Sequence, residues 1–243
     1  MVSKITSSKS AKPEKPIKSE KPIKPEKPIK RRARNDQAKL ERRKHLLETA
    51  RRLWTEGTFS SITMHQVASR ANLAKGTTYL YFQSKEELLL ALLGQELEQW
   101  FDHLDGELEQ TLTHTPRSLA HLIAESLQAR QELIRLLSIQ GGILEQNVSE
   151  IAARNFKTQL ASRAARTSIL LEHALRLREH AGLELLKVIN ALLIGLDQLA
   201  SLSPIVASVL KDPNLSPLKV EFHPQLARTL EMVLIGMKAE TKK

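Results

Sequence analysis

The chain of 243 residues contains no cysteine, which excludes disulfides and thiolate-bound metals without fixing the compartment. Aromatics are scarce: two Trp, two Tyr and five Phe, so any core must be built from aliphatic side chains. No apolar run approaches the length of a bilayer span. The first lysines are not followed by an apolar h-region, so no signal peptide is expected; cytoplasm is the expected location and no membrane partner is expected. Catalytic spacings are missing as well. HExxH, GxSxG and P-loop patterns do not occur, and Lys75-Gly76-Thr77 lacks the upstream glycine loop a phosphate cradle needs. His173 and His180 stand seven apart, on one helix face, with no carboxylate constellation to complete a metal site. The expectation is a protein that is not an enzyme, with no metal and no cofactor.

What is present is charge, unevenly placed. The net charge is +10. Residues 1–39 hold 13 Lys/Arg against 4 Asp/Glu, residues 40–85 hold 8 against 3, and residues 86–243 hold 16 against 20. Basic charge gathered in the first third is the electrostatic footprint of a polyanion partner, nucleic acid above all; a solubilising tail is the plainer alternative. Within that third, residues 13–30 are three tandem hexads, PEKPIK, SEKPIK and PEKPIK. Proline this frequent rules out helix and central strand, and isolated isoleucines supply no core. Residues 1–38 are therefore expected to form an extended polyproline II-like basic arm, leading through the KRRAR cluster at Lys30–Arg34. It either tracks phosphates or acts as a spacer.

From about Lys39 the pattern is helical throughout, and the fold class expected is all-α. Leu46, Leu47, Ala50, Leu53 and Trp54 repeat at three- and four-residue steps, and Gly57 ends that helix. Thr63-Met64-His65-Gln66 has the form of a capping box opening a short helix to Ala71. Asn72 tolerates the left-handed conformation of a tight turn, and a second short helix is expected from Lys75 to Phe82. Ser84-Lys85-Glu86-Glu87 reads as another capping box, before Leu88, Leu92, Leu97 and Trp100. Beyond it, Thr115-Pro116 opens a helix expected to reach Ile139, and Gly141-Gly142 breaks the pattern. Long helices follow over 149–180 and 183–202, with Gly182 as the interruption. A loop holding Pro204, Pro213 and Pro217 precedes a last helix opened at His223-Pro224.

Two short helices across a tight turn, behind a supporting helix, is the layout of a helix-turn-helix, here over about 64–83. At about 100° per residue, Thr78 and Phe82 of the second helix face the supporting helices. Gly76, Thr77 and Leu80 lie opposite, and Tyr79 and Tyr81, the chain's two tyrosines, flank the seam. A shoulder tyrosine packs its ring on protein and extends its hydroxyl toward a phosphate. Gly76 lets the backbone approach, Thr77 can bond a base edge, and Leu80 suits a thymine methyl. Half-buried core aromatics would be the simpler reading of the tyrosines, but would leave Gly76 and Leu80 unexplained.

Residues 42–93, with Thr63, Gly76, Tyr79, Phe82, Lys85 and Leu88 at the pattern positions, resemble the DNA-binding region of the TetR family of transcriptional regulators. The resemblance implies a three-helix DNA-binding domain over 39–86 and an α-helical effector-binding and dimerisation domain over 87–243. It implies a homodimer on double-stranded DNA with a palindromic operator, a repressor released by a small-molecule effector. Carried over by position, Thr63, Lys75, Thr77, Tyr79, Tyr81 and Lys85 become DNA-contact candidates, joined by Gly76 and Leu80 from the wheel. Two positions depart from the pattern. Asn72 replaces the usual Gly, and Ala74 replaces the usual Ser or Thr cap, at a cost of about 1 kcal/mol. A non-specific architectural binder driven by the arm is the competing function.

The C-terminal half is less informative. LLIGL at 192–196 and VLIGM at 233–237 each hold a glycine inside an apolar helix, costing about 1 kcal/mol against alanine. Close helix approach would compensate, so Gly195 and Gly236 are expected at the dimer crossing. Packing within one subunit is the alternative. Leucine-rich central helices suggest an apolar effector cavity, with Gln140, Glu145, Asn147 and His173 as polar fixtures or simply as structural groups. No ligand class follows.

Overall fold

A computed structural model of the chain describes the backbone of residues 29–241 and the side chains of residues 36–241. The lysine–proline hexads, up to residue 28, and the side chains of the Lys30–Arg34 cluster lie outside the described residues. The chain divides into two units, residues 1–39 and 40–243. The described part of the first is helical, so the helix α1 (Ile29–Glu56) begins inside the segment that proline content assigned to an arm. The second unit holds the remainder of α1 and all other described elements.

Every described regular element is helical. The α1 stripe of Leu46, Leu47, Ala50, Leu53 and Trp54 is buried as its spacing requires. A 3-10 turn at Phe59–Ser61 leads to α2 (Met64–Arg70) and α3 (Lys75–Tyr79), then to the long α4 (Lys85–Gln110). The larger part comprises α5 (Pro116–Ser126), α6 (Gln131–Ile139), a π-helical turn at Gln140–Leu144, α7 (Glu150–Leu175), α8 (Ala181–Ala200), α9 (Pro204–Val209) and α10 (Phe222–Glu240). Helix α4 packs along α7, α5 along α10, and α8 against α6, α7 and α10. One largely aliphatic core runs from α1 through α10, with Trp54, Phe82, Trp100, Phe101 and Phe156 as its buried aromatic members.

Beyond α4 three boundaries differ from the expected ones. The helix expected from Thr115 to Ile139 is two. Ser126 accepts the Trp100 indole N–H at 2.9 Å and donates to the Ile123 carbonyl at 2.7 Å. The Arg130 guanidinium caps the Ser126 carbonyl at 3.2 Å, so the break is made by tertiary partners. The helix expected over 149–180 ends at Leu175, because Arg176 adopts the left-handed region at φ 56°. His180 does the same at φ 67° before α8. Gly182 is no breaker: it sits in the first turn of α8, where an added Cβ would lie 2.1 Å from the Ser168 carbonyl oxygen. Its N–H donates to Glu172 at 3.0 Å. Finally, the proline-rich loop contains a formed helix, α9, with Ser203 as N-cap and Pro204 at its first position.

Candidate nucleic-acid interface

The helix-turn-helix is assembled from local rules first. Thr63 Oγ1 accepts the Gln66 N–H at 3.2 Å, and Gln66 Oε1 accepts the Thr63 N–H at 2.9 Å, completing the capping box of α2. At the other end Asn72 takes φ 53°. The Leu73 N–H reaches the Ala68 carbonyl at 2.9 Å and the Asn72 N–H the Ser69 carbonyl at 3.1 Å. This is a Schellman closure, in which the left-handed residue satisfies the last helix carbonyls. Leu73 packs back on the core. Asparagine does here what glycine does elsewhere, at the cost of a Cβ that the short polar side chain tolerates. The turn is tied down from α1, where a ring nitrogen of His45 meets the Ala71 carbonyl at 3.1 Å, and Arg70 pairs with Glu56.

Ala74 opens α3 with no side-chain cap. The helix stops at Tyr79, shorter than expected. The chain then tightens, the Leu80 N–H bonding to Thr77 and the Tyr81 and Phe82 N–H groups to the Thr78 carbonyl. Thr78 and Phe82 are buried, and the Arg43 guanidinium of α1 lies over the Phe82 ring. Lys75 and Gly76 are exposed, Thr77 is half-buried, and a Cβ on Gly76 would meet nothing within 4 Å. Leu80 is 83% exposed and Tyr79 43%. The strip Lys75, Gly76, Tyr79, Leu80 thus stands clear of the protein. Tyr81 lies past the helix end, half-buried against the core, so the two tyrosines are not equivalent shoulders. Lys85 has a second engagement: its ammonium donates to the Phe59 carbonyl at 3.1 Å and lies 3.8 Å from the Phe59 ring centre. Thr63 sits at the exposed N-terminus of α2, its hydroxyl also donating to Gln66 at 3.0 Å.

One residue that sequence reasoning cast only as a cap proves to be a joint. The Glu87 N–H bonds to Ser84 Oγ at 3.1 Å, as a cap requires. The reciprocal half of the box is not made, and this corrects the expectation. The Glu87 carboxylate accepts the Gln83 N–H at 2.9 Å, and its other oxygen accepts the hydroxyl and N–H of Ser149, at 2.5 and 3.2 Å. Burial would raise this carboxyl, but the Ser149 and Gln83 hydrogen bonds outweigh it and hold it below the usual range. Glu87 therefore ties the exit of the helix-turn-helix to the N-cap of α7. A pattern read within one helix had no signal for that partner.

Further along α4 stands an ionic ladder to α7. Asp105, its side chain 3% exposed, accepts from Thr167 at 2.6 Å and pairs with Arg163 at 3.2 Å and Arg166 at 3.3 Å. Arg163 also meets Glu98 and Asp102, and Arg166 meets Glu109. On the α1 side, Arg51 pairs with the buried Glu96 at 2.7 Å. Burial raises the Glu96 carboxyl, and attraction to Arg51 only partly offsets it. The Trp54 indole reaches the Glu132 carbonyl at 3.1 Å, and Arg135 caps the end of α1 through the Trp54 and Gly57 carbonyls at 3.2 and 2.5 Å. The helix-turn-helix is thus joined to the larger helices by polar contacts.

Two family models match. One, described as "Bacterial regulatory proteins, tetR family", covers residues 46–92, and the other, "Tetracyclin repressor-like, C-terminal domain", covers residues 94–241, more than half of the chain. The chain belongs to the TetR family. Among relatives of this TetR-family protein, the HTH-type transcriptional repressor KstR of Mycolicibacterium smegmatis is 41% identical over 63 residues, 26% of this chain and 31% of that protein. KstR of Mycobacterium tuberculosis is 36% identical over 75 residues, 31% of this chain and 32% of its own length. The chain therefore covers about a third of these curated relatives. Among solved structures, the multidrug binding protein EbrR complexed with imidazole superposes with a TM-score of 0.52 at 17% identity, covering 79% of this chain and 94% of that one. The TetR family repressor AlkX from Dietzia sp. gives 0.50 at 18%, covering 83% and 97%. At these identities the TetR-family likeness is one of fold.

For an effector, three of the polar groups expected around a cavity are taken up by protein partners and the fourth is exposed. Gln140 donates to Glu145 at 2.5 Å, Glu145 pairs with Lys157 at 2.6 Å, Asn147 donates to the Ile143 carbonyl at 3.0 Å, and His173 is exposed. The central leucines fill the core. A slot of about 30 Å³ between α4 and α7, lined by Gly94, Phe101, Phe156 and Arg163 among others, has room for only about two waters. An open groove of about 1210 Å³ runs from Tyr79–Gln83 along α4 to the first half of α7. Gly195 and Gly236 have no atom of their own subunit within 4 Å of an added Cβ. Among the described residues no helix is long and apolar enough to cross a membrane, and no group of three metal-ligating side chains forms.

Proposed function

We propose that this TetR-family protein is a sequence-specific transcriptional repressor, binding a palindromic operator as a homodimer and released by a small-molecule effector. The observation that carries the reading is the bare strip Lys75, Gly76, Tyr79, Leu80. It is held outward by a capped α2 and a Schellman turn, and its leucine gains nothing from exposure in water. Thr77 lies beside it, and Tyr81 and Lys85 flank it from positions anchored to the protein. Thr63, at the exposed α2 N-terminus, is a phosphate-contact candidate whose hydroxyl would turn from Gln66 to donate. The name of the KstR relatives supports repression.

The homodimer draws support from Gly195 and Gly236. Each sits in a helix at a cost in propensity, with no close neighbour in its own subunit. An approaching partner helix would use that bare backbone. Release by effector would act through α4, which Glu87, Asp105 and Glu96 bind to both the helix-turn-helix and the larger helices. The imidazole in the EbrR structure is one precedent for a small ligand on this fold.

Selection of duplexes from random DNA by the purified protein tests the reading. The expected product is a palindrome with half-sites about one helical turn apart, or a multiple of it. Removing residues 1–38 should lower the salt slope of binding and leave that preference. Loss of all preference on truncation would favour the architectural binder instead.

A further inference from the structure

One cation beside the α3 strip has no anion. Arg43 stands on α1, its guanidinium 5.3 Å from the ring centre of Phe82, the buried aromatic just past the end of α3. Three arginines border the open groove that starts at Tyr79–Gln83. Arg154 pairs with Glu150 at 2.6 Å, and Arg163 with Glu98, Asp102 and Asp105. Arg43 makes no ion pair among the described residues. Leu40, Leu46 and Leu47, one turn away along α1, offer no charge to complement it. The residue is exposed, yet burial of part of its guanidinium lowers its pKa from the ordinary arginine value. A cation partly withdrawn from water and left without a counterion is unfavourable, and an arriving anion would relieve it.

We infer that Arg43 binds a backbone phosphate of the operator, reaching it from α1 beside the half-site that the α3 strip reads. The inference rests on the operator reading proposed above. Position selects this anion. The groove wall that holds Arg43 also holds Tyr79, Leu80, Tyr81 and Gln83, so the cation adjoins the face proposed to enter the major groove. A helix seated there has phosphates along both walls of the groove, and contacts to them set its register. Chemistry agrees with position. A guanidinium is a planar fork whose parallel N–H donors match two phosphate oxygens, and the Phe82 ring, itself fixed in the core, supports that fork from one side. The model of the family's DNA-binding region begins at residue 46. Arg43 precedes it, so the contact belongs to this chain and not to the matched pattern.

Full-length wild type, Arg43→Gln and Arg43→Lys are each titrated onto the selected palindrome and onto an unrelated duplex over a range of salt. All three proteins carry residues 1–38, so the share of the salt slope due to that segment cancels. Arg43→Gln should weaken both complexes by the same factor. It should also lower the slope of log affinity against log salt by about 0.9 per phosphate, hence by about 2 for a dimer. Arg43→Lys keeps the charge and should keep the wild-type slope. Neutral methylphosphonates placed singly along each half-site should reveal one phosphate whose replacement weakens wild type and leaves Arg43→Gln unaffected. An unchanged slope for Arg43→Gln overturns the inference, and the arginine then only covers Phe82. A loss confined to the palindrome overturns it too. Selection of no palindrome by wild type overturns the operator reading instead, and the slopes on unrelated duplex still decide the role of Arg43.

Discussion

Removing the Asp105 carboxylate tests what holds α4 to α7. In the native protein it accepts the buried Thr167 hydroxyl at 2.6 Å and faces two guanidinium groups. Asp105→Ala leaves that hydroxyl without an acceptor in a dry position, costing about 1–3 kcal/mol. It also removes charge-assisted contacts worth about 1.5–3 kcal/mol. The cations are not stranded, since Arg163 keeps Glu98 and Asp102 and Arg166 keeps Glu109. The total should therefore fall near the low end of the about 3–5 kcal/mol typical of breaking a buried pair. At about 2–4 °C per kcal/mol for a chain of this size, the midpoint should drop by roughly 6–12 °C. Asp105→Asn keeps an oxygen for Thr167 and should lose about half as much. Circular dichroism melts at one fixed protein concentration provide the assay, because a dimer's midpoint moves with concentration. A loss below about 1 kcal/mol for the alanine variant would refute the reasoning, as would an asparagine variant equally damaged.

Gly182→Ala should destabilise despite alanine's better helix propensity. Its Cβ would stand 2.1 Å from the Ser168 oxygen, so α7 and α8 must separate, at about 1–3 kcal/mol; a stabilised variant in urea unfolding would show that the contact is not rigid. Glu87 gives a pH test. Its carboxyl is held below the usual range by hydrogen bonds to its charged form, so its contribution is complete above the unfolded value of about 4.3. That contribution is lost as pH falls through the lower folded value. The stability gap between wild type and Glu87→Gln should be flat at neutral pH and close in acid, and a gap that stays constant down to about pH 3 contradicts the assignment. Glu96 runs the other way. Burial raises its carboxyl, so wild type should gain stability relative to Glu96→Gln as pH drops from neutrality through that raised value, and an unchanged difference would exclude it.

How much of this was readable from residue order depends on whether the cause was local. The α1 stripe, the Thr63–Gln66 box and the left-handed Asn72 follow from side chains a turn apart, and the structure has them as spacing required. The misplaced boundaries have distant causes. Ser126 breaks a helix through Trp100, and Gly182 answers to Ser168 rather than to a turn. Arg176 and His180 take the left-handed region, and of the two only histidine is enriched there. At the candidate site, the wheel placed Thr78 and Phe82 inward and Leu80 outward correctly. It put Tyr81 on a helix that has already ended, and it could not foresee Phe59 under Lys85 or Ser149 beside Glu87.

The central claim is that the strip on α3 reads sequence. Leu80→Ala and Tyr79→Phe, measured separately for affinity to the selected palindrome and to unrelated duplex at one salt concentration, test it most directly. Leu80 is 83% exposed, so its thermal midpoint should hold within about 0.5 kcal/mol of wild-type stability. For Leu80→Ala the specific-to-non-specific ratio should fall by roughly five- to a hundredfold, the equivalent of about 1–3 kcal/mol for one base position, whereas Tyr79→Phe, losing a phosphate contact, should weaken both duplexes alike. A ratio unchanged for Leu80→Ala, in a protein that still folds and dimerises, would contradict the account.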